Sequence, residues 1–240
     1  MDAYEPPAEF LDSTEVVDWF HQDVRAQAWL LAAGATERGW DNASESDPLG
    51  RCARHPHYEI ARRCFEWVRD EVQHSVDFGR CEVTCTASEV LSARTGFCYA
   101  KSHLLAALLR ANGIPAGFCY QRLSIDGRGA PFSLHGLNAV WLPEQGWYRI
   151  DARGNKAGVD NSSVGISAVD ARFTPPVERL VFPVEHAGEA DLPEIWPEPL
   201  DVVIAALRSH ATVGSLYDHL PDVALVGAAV TQKNPAENRP

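Results

Sequence analysis

Cysteine is sparse, with six residues in 240. That is too few to staple a disulfide scaffold, and several sit in apolar periodic stretches where a free thiol is at home. A reducing, cytoplasmic setting is the expectation. Positive charge is also short: 21 Lys and Arg stand against 33 Asp and Glu, for a net charge of −12. The chain therefore lacks the basic footprint that a phosphate backbone requires, and nucleic acid is not an expected partner. No run approaches the roughly 20 consecutive apolar residues of a membrane span. The opening MDAYEPPAEF is acidic and proline-containing, unlike a secretory signal, so no membrane partner is expected. Internal repeats, low-complexity tracts and calcium loops of the EF-hand type are missing too. Cys81 and Cys85 have half-site spacing, but no second Cys/His pair follows at zinc-ligand spacing. Neither a metal nor a cofactor is expected.

What is present reads as one folded globule, with 45% apolar and 22% charged residues. Residues 14–33 carry apolar side chains at helical spacing, with Ser13 or Thr14 to cap the start and Gly34 to end it. The polar stretch 37–51 reads as a loop, 57–74 as a second helix, and Ser88 to Ala93 as a short helical turn. A clear helix over 98–112 ends at Asn112-Gly113, with Pro115 just beyond. After it come strands at 114–125, Leu134–Leu142 and Trp147–Ala152, a further strand at Arg179–Val184, and helices over 198–209 and 212–219. A helix followed by an antiparallel sheet makes the fold class α+β. The expectation is a single domain over 1–230, with a core at about 57–155, a helical N-terminal extension (1–50), a C-terminal extension (156–230) and a disordered tail (231–240).

Cys98 opens the long helix, directly after Thr95-Gly96-Phe97. Unpaired N–H groups and the macrodipole make such an end electropositive and favour thiolate over thiol. A cysteine nucleophile also needs a base, and the base an orienting group. His103 is near in sequence but wrongly placed, since five helical residues turn about 500° and rise about 7.5 Å. His135 begins one strand and Asp151 ends the next, and antiparallel pairing brings those two ends together.

The hairpin between them sets a condition. Side chains alternate faces, so His135 and Asp151 share a face only if paired positions have an even sum. Gly146 is suited to a left-handed bulge position that would give this register. A bulge or odd loop is expected there, with the two side chains as diagonal neighbours.

The segments GFCYAKSHLLAALLRANGIPAGFCYQRL, LHGLNAVWL and GWYRIDARG resemble the transglutaminase-like superfamily of bacterial cysteine enzymes, over roughly Tyr58 to Asn155. The resemblance implies a papain-like core and a Cys-His-Asp triad. Cys98 would be the nucleophile, His135 the general base and then acid, and Asp151 the group orienting the imidazole. By analogy with papain-like sites, Gln73 is the candidate oxyanion-hole side chain, beside the Cys98 backbone N–H. Phe97, Tyr99 and Trp147 are candidates to line the substrate cleft, and Trp147 shares the face parity of Asp151. The activity implied is attack on an amide bond through a thioester, as a protease, amidase or acyltransferase, with a peptide, protein or small amide as partner. The alternative is a non-catalytic binding or assembly module on the same fold. Arylamine-type acyl transfer lacks its arginine-glycine-rich run here, and a redox sensor would need a resolving thiol beside Cys98.

Overall fold

The computed structural model describes residues 6–36, 55–154 and 171–222. The expected loop at 37–51 and the tail at 231–240 lie outside the described residues. A 3-10 turn at Ala8–Leu11 is followed by α1 (Gln22–Thr36), α2 (Pro56–Glu71), α3 (Ala87–Ala93) and α4 (Cys98–Ala111). Two-residue strands β1 (Gln73–His74) and β2 (Thr95–Gly96) pair in parallel just before α4. Strands β3 (Ala116–Ser124), β4 (Phe132–Leu142), β5 (Gly146–Ile150) and β6 (Ala190–Asp191) form an antiparallel sheet in the order β5-β4-β3-β6, and α5 (Asp201–Ser209) and α6 (Val213–Tyr217) complete the α+β fold. Among the described residues no helix is long and apolar enough to cross a membrane.

Helix α4 is the centre of the molecule, and every residue from Cys98 to Arg110 is buried. α1, α2 and α3 pack against it, as do β3 and β4. Two of its polar side chains bond to nearby backbone: Ser102 Oγ donates to the Tyr99 carbonyl at 2.6 Å, and Arg110 donates to the Ala116 carbonyl. The helix ends as its sequence requires. Gly113 (φ 72°) takes the left-handed conformation, and the Ile114 N–H donates back to Leu109. One continuous apolar cluster runs from Val16 through α4 to Leu216.

The structure departs from the sequence reading in four places. α1 starts at Gln22, not 14, because Thr14 Oγ1 accepts from the Val17 N–H and bends 14–21 into a local turn. That turn is tied to the start of α3, where Asp18 accepts from the Ser88 N–H at 2.9 Å. α1 also continues through Gly34 to Thr36, and the Arg63 guanidinium occupies the space where a side chain on residue 34 would stand. α2 stops at Glu71, since the Gln73 N–H is taken by Arg94 and residues 73–74 pair with 95–96. Arg179–Val184 is not a strand. Its Val181 N–H is spent on a carboxylate, and the sheet's edge is β6 instead.

Candidate active site

A capping box closes the start of α3, with Thr86 and Glu89 bonding reciprocally. Arg94 ends that helix in the left-handed conformation (φ 53°) and turns the chain into β2. The chain then enters α4 directly, with Phe97 as N-cap and Cys98 as the first helical residue. The Cys98 N–H thus belongs to the four helical donors with no intrahelical acceptor.

The hairpin takes the register that brings His135 and Asp151 to one face. Leu142 pairs with Gly146 across a three-residue loop, and each pair back to Asn138–Ile150 has an even sum. Glu144 and Gly146 both take positive φ, 64° and 87°, and glycine is the residue for which this costs least. His135 Nε2 stands 2.8 Å from Asp151 Oδ2, and the carboxylate can only accept, so Nε2 carries the proton. Cys98 lies near enough to the His135 ring to help raise its pKa. With Nε2 engaged by Asp151, Nδ1 is the ring nitrogen that remains for the sulfur. All three residues are buried, Asp151 completely.

The electrostatics follow from these contacts. Burial disfavours the charged His135 ring, but the Asp151 charge and its hydrogen bond, with Cys98, outweigh it and raise the ring to about 10. Burial likewise opposes ionisation of Asp151. The His135 ring and the N–H groups of Arg153 (3.0 Å) and Val181 (3.2 Å) reverse that and hold its carboxyl below the usual range. Elsewhere in the core, burial pushes the Cys64 and Cys119 thiols up to about 12. His103 turns away as expected. Its Nδ1–H donates to the Cys85 carbonyl at 2.7 Å, and burial lowers it to about 4.

Tyr99 locks the helix tip to the strand. Its hydroxyl donates to the Leu134 carbonyl, and its ring lies against Gly136, so the residue after Cys98 grips both neighbours of His135. A Cβ on residue 136 would stand 2.8 Å from Tyr99 Cδ1, closer than van der Waals contact allows. Gly136→Ala should therefore destabilise by about 1–3 kcal/mol, read as a lower urea midpoint. An unchanged midpoint would contradict this packing.

Several site expectations need correction. Tyr99 is wholly buried and Phe97 is 6% exposed, so both pack in the interior rather than line an open cleft. The Trp147 ring shares the face of Asp151 but packs at a tilt against Phe10 (4.7 Å) and edge-on against Trp141 (5.6 Å), nearer the hairpin turn. The aromatic edge against His135 is Phe182, at 5.0 Å. The Gln73 amide oxygen accepts from Arg80 at 3.4 Å, and its carbonyl accepts from Thr95. The neighbouring residue, His74, has its ring 5.3 Å from Phe97. Sequence reasoning missed Val181, Phe182 and Arg153, which lie in irregular segments without periodicity. Cys81 is exposed and Cys85 buried, and among the described residues no group of three or more His, Cys, Asp or Glu could hold a metal ion.

With this geometry in place, the comparison with known families is direct. Residues 50–152 match the Transglutaminase-like superfamily. This stretch is similar to the transglutaminase-like core. Solved structures similar to the chain include a candidate cysteine protease from Cytophaga hutchinsonii (18% identity, TM-score 0.44), covering 63% of this chain and 43% of that one. The periplasmic domain of TgpA from Pseudomonas aeruginosa is similar at 19% identity and TM-score 0.40, over 62% of this chain and 48% of that one. Its ethylmercury-bound form gives 18% and 0.38, over 60% and 46%. The chain thus spans less than half the length of each of these structures. No curated protein matches the sequence. The transglutaminase-like stretch ends one residue after Asp151, so Arg153, Val181 and Phe182 complete the site from outside it.

Proposed function

We propose that the protein is a cysteine-dependent enzyme that acts on amide bonds through a thioester at Cys98. The observation that carries this reading is the His135 ring, held by Asp151 on one nitrogen and lying close enough to Cys98 to be raised by it. With the His135 ring raised to about 10, Nδ1 already holds the proton given up by Cys98. The sulfur bonds to the amide carbon as a thiolate paired with that imidazolium. The resulting oxyanion accepts from the unpaired Cys98 N–H, a type of contact worth a few kcal/mol. As the C–N bond breaks, His135 returns the proton to the departing amine or ammonia. Water or a second amine then attacks the thioester, gives its proton to His135, and releases acid or a new amide. Asp151 stays ionised throughout and holds the ring in the orientation that aims Nδ1 at the sulfur. The substrate class is a peptide, protein or small carboxamide.

The test is a panel of peptide amides and acyl donors, with acid quenching and mass spectrometry of the intact protein. The expected result is a covalent acyl mass on Cys98 for the donors that are turned over. Turnover without any acyl adduct at Cys98 would overturn the mechanism, and no turnover or adduct across the panel would favour a binding module. The pH profile gives a second check. His135 must hold a proton to deliver to the leaving group, and its value near 10 extends activity well above neutrality. kcat/KM should stay level through about pH 9 and fall with a midpoint near 10. A fall centred near 6.5, the ordinary histidine value, would contradict the coupling to Asp151.

A further inference from the structure

Four ionisable side chains outside the triad are buried beside it and interact with one another: His74, Asp77, Lys101 and Arg153. Burial, with the Arg153 charge as the next cause, lowers His74 to about 4 and Lys101 to about 7. The Lys101 ammonium donates to the Val72 carbonyl, and the His74 Nδ1 stands 3.3 Å from Asp77. Arg153 Nη2 donates to Asp77 Oδ1 at 2.8 Å, and both side chains are only 9% exposed. Taking an ion pair out of water costs several kcal/mol per charge, so stability alone is a poor reason for it.

What Arg153 touches supplies another reason. Its guanidinium lies over the Phe182 ring at 5.0 Å, and the Phe182 ring meets the His135 imidazole edge-on at 5.0 Å. The adjoining Val181 N–H donates to Asp151, and the Phe182 carbonyl accepts from Gln121 at 3.1 Å. The Arg153 N–H donates to the other Asp151 oxygen. We propose that Arg153 is a positioning residue for the His135–Asp151 pair: pinned by Asp77, its guanidinium plane holds Phe182 against the imidazole and the Val181 N–H against the carboxylate. This rests on the reading of Cys98, His135 and Asp151 as the catalytic set. A flat guanidinium stacks on an aromatic face while hydrogen-bonding at its rim, which an ammonium cannot do.

The test compares Arg153→Met, Arg153→Lys, Asp77→Asn and Phe182→Leu in the full chain. It reads kcat, KM, thermal midpoint and the titration of the His135 ring by NMR. Displacing a catalytic group by about 1 Å costs about 100-fold. Arg153→Met and Asp77→Asn should therefore lower kcat by about 10- to 100-fold, with KM within about twofold. The His135 titration should move down by about one pH unit or more, because Asp151 is less firmly seated. Arg153→Lys keeps the charge opposite Asp77 and should recover part of kcat. Phe182→Leu keeps apolar volume but removes the ring, and should reproduce the titration shift even if Arg153→Met does not fold. Variants that lose thermal stability but keep both kcat and the His135 titration would reduce the ion pair to a structural role and overturn the proposal. The ring titration needs no substrate. A parent protein that turns over nothing, with a titration that still shifts in the variants, refutes the enzymatic reading and leaves the positioning role standing.

Discussion

Cys98→Ala should take amide turnover to background, a loss of about ten-thousandfold or more, since removing the nucleophile of a triad leaves only binding and oxyanion contacts. The same variant should form no acyl adduct. The fold should survive, because the change removes one small sulfur from a residue already 5% exposed at the helix start. Cys64→Ala is the matched control. That thiol lies mid-helix, is fully buried and is pushed to about 12, so its removal should leave turnover within a few-fold. Steady-state rates on both variants decide the matter. Residual turnover in Cys98→Ala within tenfold of the parent would exclude this sulfur as the nucleophile.

Asp151→Asn should have the next largest effect and should act on both rate and stability. An amide has a single acceptor oxygen, so it can accept from the Arg153 or the Val181 N–H but not from both, and it no longer stabilises an imidazolium. The loss of kcat should be on the order of a thousandfold or more, as in other triads that lose their carboxylate. Breaking a buried ion pair costs about 3 kcal/mol or more. Its pH dependence has a definite sign. Asp151 is depressed from 3.8, so its contribution is present above that value and lost as pH falls through the lower folded value. His135 is raised from 6.5 to about 10, so its contribution is full below 6.5 and lost as pH rises toward 10. The stability gap between parent and Asp151→Asn should be widest between about pH 4 and 6.5 and shrink on both sides. Denaturant titrations across that range check it, and a gap independent of pH would contradict the pairing.

The hairpin was the most legible part of the site. Strand alternation together with one glycine at 146 suffices to require an even register, and that register is what lets His135 meet Asp151. Helix α4 was equally plain, because a largely apolar stretch of good helix formers bounded by Gly96 and Asn112-Gly113 leaves little choice of ends. Local polar competition was not legible. The Thr14 and Asp18 side chains divert a helical-looking pattern into a turn, and only the arrival of α3 from far along the chain explains why. The contribution of 181–182 was hidden for a related reason. A backbone N–H that caps a buried carboxylate leaves no residue-type signal, and Phe182 reads as one more apolar residue until the chain folds back onto His135. The pairing of 73–74 with 95–96 and the Arg80 partner of the Gln73 amide were likewise not legible, because both depend on contacts distant in sequence.

The most direct measurement is site-resolved alkylation of the parent protein by iodoacetamide at about pH 5, followed by peptide mass spectrometry. Cys81 is an exposed free thiol in the same chain and serves as the internal standard. A cationic imidazole facing the Cys98 sulfur should make Cys98 react well ahead of Cys81, and His135→Ala should remove that advantage. Cys98 reacting no faster than Cys81, or an advantage that persists without His135, would contradict the paired sulfur and imidazole at the helix tip.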